Sequence, residues 1–246
     1  MTAIKRKKKT VLRILCGVLL TLAAVIAVIS AVFLVRGYRM YRTAIEETPL
    51  AEKVASYQNN ASYTPLSELP DIYKEAVIAV EDHRFYQHPG IDPIAIGRAL
   101  WNDIRSWSLK EGGSTITQQL AKNMYFTQER KLERKSAEVF MAFQLEKHYD
   151  KDTILELYIN GIYYGNGYYC VWDASQGYFG KEPAALSDYE ATLLAGLPNA
   201  PSVYALNANP ELAAQRQEQV VRKMIRYGFL TEEEAGKIID DQKEAA

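Results

Sequence analysis

The chain has 246 residues, 29 basic and 30 acidic side chains and a formal net charge of -1. A near-neutral chain offers no overall basic field for nucleic acid. Its two cysteines and three histidines, at these spacings, do not make a metal cluster. Cys16 lies in an apolar run and Cys170 stands alone far downstream, so no disulfide is expected between them.

The neutral total hides an uneven distribution. Lys5, Arg6, Lys7, Lys8, Lys9 and Arg13 form a basic segment over residues 1–13. Residues 14–35 carry no charge, a length that spans the ~30 Å bilayer core. A cleaved signal peptide has a shorter apolar region, ~7–15 residues, with a small-residue cleavage site beyond it. The run here is longer and is followed by Arg36, Arg39 and Arg42, which predicts an uncleaved anchor. Basic residues are denser before the span than after it. The expected topology is therefore single-pass in the cell membrane, with a cytoplasmic N-terminus and an extracytoplasmic catalytic part. Residues 36–66 read as a stalk, with Tyr38 and Tyr41 at interfacial positions and a polar connector at residues 58–62.

From residue 67 to 246 the pattern predicts one mainly α domain. Asp71 caps a helix that runs through Ala76–Val80 to Glu81, and Pro89-Gly90 breaks the chain after it. Asp92-Pro93 starts the next helix. Gly112-Gly113-Ser114 opens a third to about Asn123, followed by helices over about 129–149 and 151–160. The Gly- and Tyr-rich stretch 161–180 reads as short strands or irregular loops. Ser187 with Glu190 forms a capping box, Asn209-Pro210 opens a helix to Tyr227, and Thr231 with Glu234 caps the last.

Three constellations could carry chemistry. The first is Glu81–Asp92, EDHRFYQHPGID. A carboxylate in the last helical turn faces the negative end of the dipole, a placement that favours its protonated form and suits acid–base work. The second is GGSTITQQLAKN, residues 112–123. Its glycines permit close approach of a ligand, and the helix N-terminus presents free N–H groups. Gln118, Gln119 and Lys122 lie on the following turns. The third is Arg130 with Arg134-Lys135-Ser136-Ala137-Glu138. Four cations (Lys122, Arg130, Arg134 and Lys135) around one carboxylate are what transfer from a diphosphate leaving group needs. Each constellation taken alone also fits an ordinary solvated helix end.

Together with KDTILELYINGIYYGNG and a later arginine-bearing helix, these motifs occur in the order and spacing of the family 51 glycosyltransferases, which the chain resembles over about Ser67 to Tyr227. Those are the peptidoglycan glycosyltransferase domains of class A penicillin-binding proteins and the monofunctional enzymes. The resemblance implies a lysozyme-like helical lobe with a small jaw lobe beside the membrane. It also implies polymerisation of lipid II into β-1,4 glycan with inversion and release of undecaprenyl diphosphate. Glu81 matches the catalytic base and Glu138 the second glutamate, which assists departure of the diphosphate or holds a divalent cation such as Mg or Mn; no organic cofactor is implied. Lys122, Arg130, Arg134 and Lys135 match diphosphate-holding positions. Ser114, Thr115, Gln118 and Gln119 match the cleft lining, and Phe85 and His88 match positions near the donor sugar. Asp82 and Asn160 match structural positions. Lipid II, the growing lipid-linked glycan, the bilayer and other cell-wall synthesis proteins are the implied partners.

Two departures stand out. Arg216 is followed by Gln217 where the family carries paired arginines, and Tyr169–Asp173 replaces a glycine, an aliphatic and a glutamate. No transpeptidase sequence follows, so the expectation is the monofunctional type. A lytic enzyme on the same fold has no use for four cations beside a carboxylate. A non-catalytic membrane-anchored scaffold gains nothing from keeping both glutamates.

Overall fold

The computed structural model describes residues 2–106, 112–126 and 132–245. Among these residues the fold is mainly α, with a single isolated bridge between Gly165 and Tyr168 and no strands. Helix α1 (Thr2–Glu47) contains the apolar run and is long and apolar enough to cross a membrane. It continues unbroken past that run, and α2 (Leu50–Gln58) follows. The connector expected over residues 36–66 is thus largely helical. Leu50, Val54 and Tyr57 fall at positions i, i+4 and i+7, an apolar stripe that seats α2 on the core.

Helix α3 (Asp71–Glu81) runs through the core, with Tyr73 and Ala76–Val80 all buried. Pro70 occupies its cap position, and Asp71 is the first helical residue, paired with Lys74 rather than capping. The chain then forms α4 (Pro93–Ser106), α5 (Ile116–Tyr125), α6 (Leu132–His148) and α7 (Lys151–Ile159). Asn160 closes α7 and pins the segment before α3, exchanging hydrogen bonds of 2.8 Å with the backbone of Thr64 in both directions.

The stretch 161–180 departs from expectation. Val171–Phe179 is a helix, α8, ended by Gly180 in the left-handed region. Its cap is Cys170, whose Sγ accepts from the amide of Asp173 at 3.4 Å. A sulfur cap is weak, and the surrounding glycines and tyrosines mask the helix in the sequence. Burial pushes the Cys170 thiol up to about 11, so it stays protonated and serves as a small packing group. Helices α9 (Asp188–Gly196), α10 (Pro201–Tyr204), α11 (Pro210–Tyr227) and α12 (Glu232–Ala245) complete the fold. The Ser187–Glu190 capping box forms as expected. α9 and α11 pack on α3, and α5 packs on α6 and α7.

Candidate active site

Glu81 is the last residue of α3. The carbonyls at that helix end have partners from nearby and from far away. The amide of Asp82 donates to Ile78 O at 2.9 Å, and Lys223 Nζ, from α11, donates to Val80 O at 2.9 Å. Asp82 turns inward. His88 Nε2 lies 3.0 Å from both its carboxylate oxygens, and Ile116 N, the first amide of α5, donates to Oδ2 at 3.1 Å. A carboxylate on a helix N-terminus is favoured by the dipole and by the free amides there. The end of α3 is therefore fastened to the start of α5.

Helix α5 begins with a full capping box between Thr115 and Gln118. The Thr115 hydroxyl also donates to Gly90 O at 2.6 Å. Gly90 has φ +90°, and a Cβ there would meet the Ala142 backbone at 3.3 Å, so glycine is required where this turn rests on α6. With its start fixed, α5 presents Gln119 to Glu81: Nε2 donates to Oε2 at 2.7 Å. Tyr158, fully buried on α7, donates to Gln119 Oε1 at 3.4 Å. Burial, and then the charge of Glu81, raise the Tyr158 phenol well above its usual value, so it remains a neutral donor. Glu81 Oε1 is buried and has no protein partner.

Lys122 lies one turn beyond Gln119. Burial holds its ammonium below the usual lysine value. Glu138 and, more weakly, Glu81 act in the opposite direction, while Arg134 and Lys135 reinforce the lowering. Lys122 thus feels both glutamates. Glu138 is 1 % exposed; Arg134 Nη1 bonds its Oε1, and Lys135 Nζ donates to Oε2 at 2.8 Å. The same ammonium donates to Ser114 Oγ at 2.6 Å, tying the loop before α5 to α6. Arg134 and Lys135 pair with this one buried carboxylate and Lys122 interacts with it electrostatically, so positive charge is in excess there.

A family model described as Transglycosylase matches residues 46–225. The chain belongs to the transglycosylase family. It is 39% identical over 243 residues to penicillin-binding protein 1F of Bacillus subtilis (strain 168), covering 94% of this chain and 33% of that protein. It is 46% identical over 172 residues to penicillin-binding protein 1A of Aquifex aeolicus (strain VF5), covering 70% of this chain and 24% of that protein. The chain therefore spans a third or less of the length of these two relatives. The crystal structure of penicillin-binding protein 1A from Haemophilus influenzae matches with a TM-score of 0.42 and 21% identity, over 72% of this chain and 17% of that one.

In this transglycosylase, several residues singled out in the sequence are buried. Phe85 is fully buried in the core, and His88 is buried against Asp82. Thr115 and Gln118 are buried too, their side chains consumed by the capping box. These four are held by protein partners or the core, where they brace the elements that carry Glu81 and Gln119. Arg130 lies outside the described residues. Arg216 belongs near the site although the sequence reading gave it no role. It is buried on α11, donates from Nε to Gly196 O at 3.2 Å and faces Glu81 electrostatically. Burial lowers its guanidinium from the usual value, and Glu81 and Tyr204 oppose that lowering. Gln217 beside it also bonds to α9, donating to Thr192 Oγ1 at 2.9 Å.

Asp82, His88 and Asp92 bring ligand-type atoms within 4.8 Å of one another. An argument from cysteine and histidine spacing overlooks such a group because two of its members are aspartates. Its charges are already met internally. Asp92 Oδ1 accepts from the amides of Ile94 and Ala95, and Oδ2 sits 3.1 Å from Arg84 Nε as an ion pair. At Glu138 the described donors are one carboxylate among three cations, a set that suits an anion and does not fit a resident divalent cation.

Proposed function

We propose that this chain is a membrane-anchored peptidoglycan glycosyltransferase that polymerises lipid II outside the cytoplasmic face. The observation that carries the reading is helix α5, whose Gln119 Nε2 donates to Glu81 Oε2 at 2.7 Å and whose Lys122, one turn on, interacts electrostatically with both Glu138 and Glu81. A diphosphate bound by Lys122, Arg134 and Lys135 would place the donor's anomeric carbon towards Glu81. The acceptor's 4-hydroxyl oxygen attacks that carbon, and its proton passes to Glu81 Oε1, the oxygen with no protein partner. The carbon–oxygen bond to the diphosphate breaks, and its electron pair leaves on the diphosphate, where the three cations meet the developing charge. Attack opposite the leaving group inverts the configuration. Glu138 keeps Arg134 and Lys135 aimed at the phosphates. No step requires a metal.

The basic segment before the apolar run and the smaller number of basic residues after it support a cytoplasmic N-terminus, with α2 to α12 on the other side. The test is incubation of the full chain with lipid II in detergent or liposomes, with separation of glycan products by length. Wild type should form polymer. Glu81→Gln should lose about 10²–10⁴-fold in rate, the usual worth of a general base, with unchanged circular dichroism. A variant that keeps half the wild-type rate refutes the assignment of the base.

A further inference from the structure

Helix α1 and helix α6 form the most extensive helix pair among the described residues. They run side by side in the same direction. Arg36 Nη1 pairs with Glu133 Oε1 at 3.1 Å, Gly37 lies against Glu133, Ser136 and Ala137, and Tyr38 and Tyr41 meet the ring of Phe140 at 5.3 and 6.0 Å between centroids. The approach at Gly37 is closer than any side chain allows. A Cβ there would collide with Ser136 Cβ and come within 2.8 Å of Glu133 O and 2.9 Å of Ala137 N. Two of those three atoms are backbone, so no rotamer change relieves the clash. The crossing exists because residue 37 is glycine.

Its location matters more than its tightness. Val35 is the last residue of the uncharged run, and Gly37 follows about 3 Å further along the helix. The α6 residues beside Gly37 are next to Arg134, Lys135 and Glu138 in sequence, within about one helical turn of 5.4 Å. The helix that leaves the apolar run therefore docks on the helix that carries the anion site, at the level of that site. A flexible tether would let the domain float at any height. A continuous helix locked by a backbone-to-backbone crossing does not.

We infer that α1 is a spacer as well as an anchor, and that Gly37 is the positioning residue that sets the Arg134–Lys135–Glu138 cluster at the depth of the bilayer headgroups. This rests on the proposed function, since a lipid-linked diphosphate sits at that depth and a soluble one does not.

Two full-length variants test it in liposomes. One inserts seven residues, Ala-Glu-Ala-Ala-Ala-Lys-Ala, between Val35 and Arg36. Seven residues are close to two turns, so the docking face is kept while the domain rises by about 10 Å. The other is Gly37→Leu, which forbids the crossing. Rate is measured on lipid II embedded in the liposomes and on a short-chain, water-soluble lipid diphosphate substrate. The insertion should lose at least tenfold on embedded substrate and stay within about twofold on the soluble one. An equal loss on both, or no loss on either, overturns the inference. Depth is read independently of activity, from a fluorophore on Leu132→Cys in a Cys16→Ala background, quenched by nitroxide-headgroup lipids. Quenching should be strong in the parent and weaker in both the insertion and Gly37→Leu; equal quenching in all three overturns the inference. If wild type makes no polymer from either substrate, the functional reading fails while the depth measurement still decides the role of Gly37.

Discussion

Gln119 holds Glu81 from one side only: its Nε2 donates to Oε2 at 2.7 Å, and Oε1 is left buried with no protein partner. The direction of the amide is set in turn by Tyr158, whose hydroxyl donates to Gln119 Oε1. A glutamate tethered through one oxygen keeps its other lone pairs for a proton. Gln119→Ala should leave Glu81 free to rotate and lower kcat about 10- to 100-fold, with KM for lipid II changed less than threefold. Tyr158→Phe should cost less, about 2- to 10-fold, because the amide loses its orienting donor but keeps its bond to Glu81. A Gln119→Ala variant with wild-type kcat removes this residue from the mechanism.

Lys122 is a half-buried cation whose ammonium is disfavoured by its surroundings. Its folded-state value lies below the usual ~10.4 of lysine, so between the two values the folded chain binds fewer protons than the unfolded one. Stability therefore rises with pH across that window, and at neutral pH the charge is a burden on the fold. Lys122→Met should unfold thermally at the same temperature as wild type or higher, yet polymerise at least tenfold more slowly. On the proposed function, in which the protonated lysine holds the diphosphate, activity should fall as pH rises through the lysine's lowered value. Lys122→Arg should carry that alkaline fall to higher pH if it turns over at all. A Lys122→Met protein with both lower melting temperature and full turnover contradicts the placement.

Asp82, which the family resemblance marked as structural, has a specific structural task. Removing its carboxylate leaves the Ile116 amide and the His88 ring buried without partners, a change that costs about 3 kcal/mol. Asp82→Ala should lower the urea midpoint accordingly, and a second change, His88→Leu, should recover part of the loss. Additive effects in this double-mutant cycle would mean that the two side chains do not act as a pair.

Most helices were legible because their caps are local chemistry. Ser187 with Glu190, Thr231 with Glu234 and Asp92 before Pro93 each signal a start within four residues, and the structure contains all three. The same local chemistry misled the reading of the site. Gln118 and Lys122 share a helix face by spacing, which suggests a common ligand. The glutamine, however, is the N3 residue of the Thr115 box and folds back on the helix start, leaving Gln119 to reach Glu81. Motif membership likewise does not separate a wall from its backing, so Phe85 and His88 looked like ligand contacts until their burial was known. The sequence marks Arg216 only as a family-motif arginine and gives no sign of Lys223. Lys223 reaches the end of α3 from α11 and Arg216 interacts with Glu81 electrostatically, and the packing of α11 on α3 brings both near it.

The bond from Lys223 to Val80 O spans 143 residues of chain. During synthesis, everything up to α10 can emerge while the carbonyl end beside Glu81 still lacks this lysine. Contacts so distant in sequence form late, because the intervening loop must first be closed. The helix end that carries Glu81 is thus completed by α11, which is made after α1 to α10. A nascent chain halted before residue 223 would carry all three motifs and an unfinished helix end.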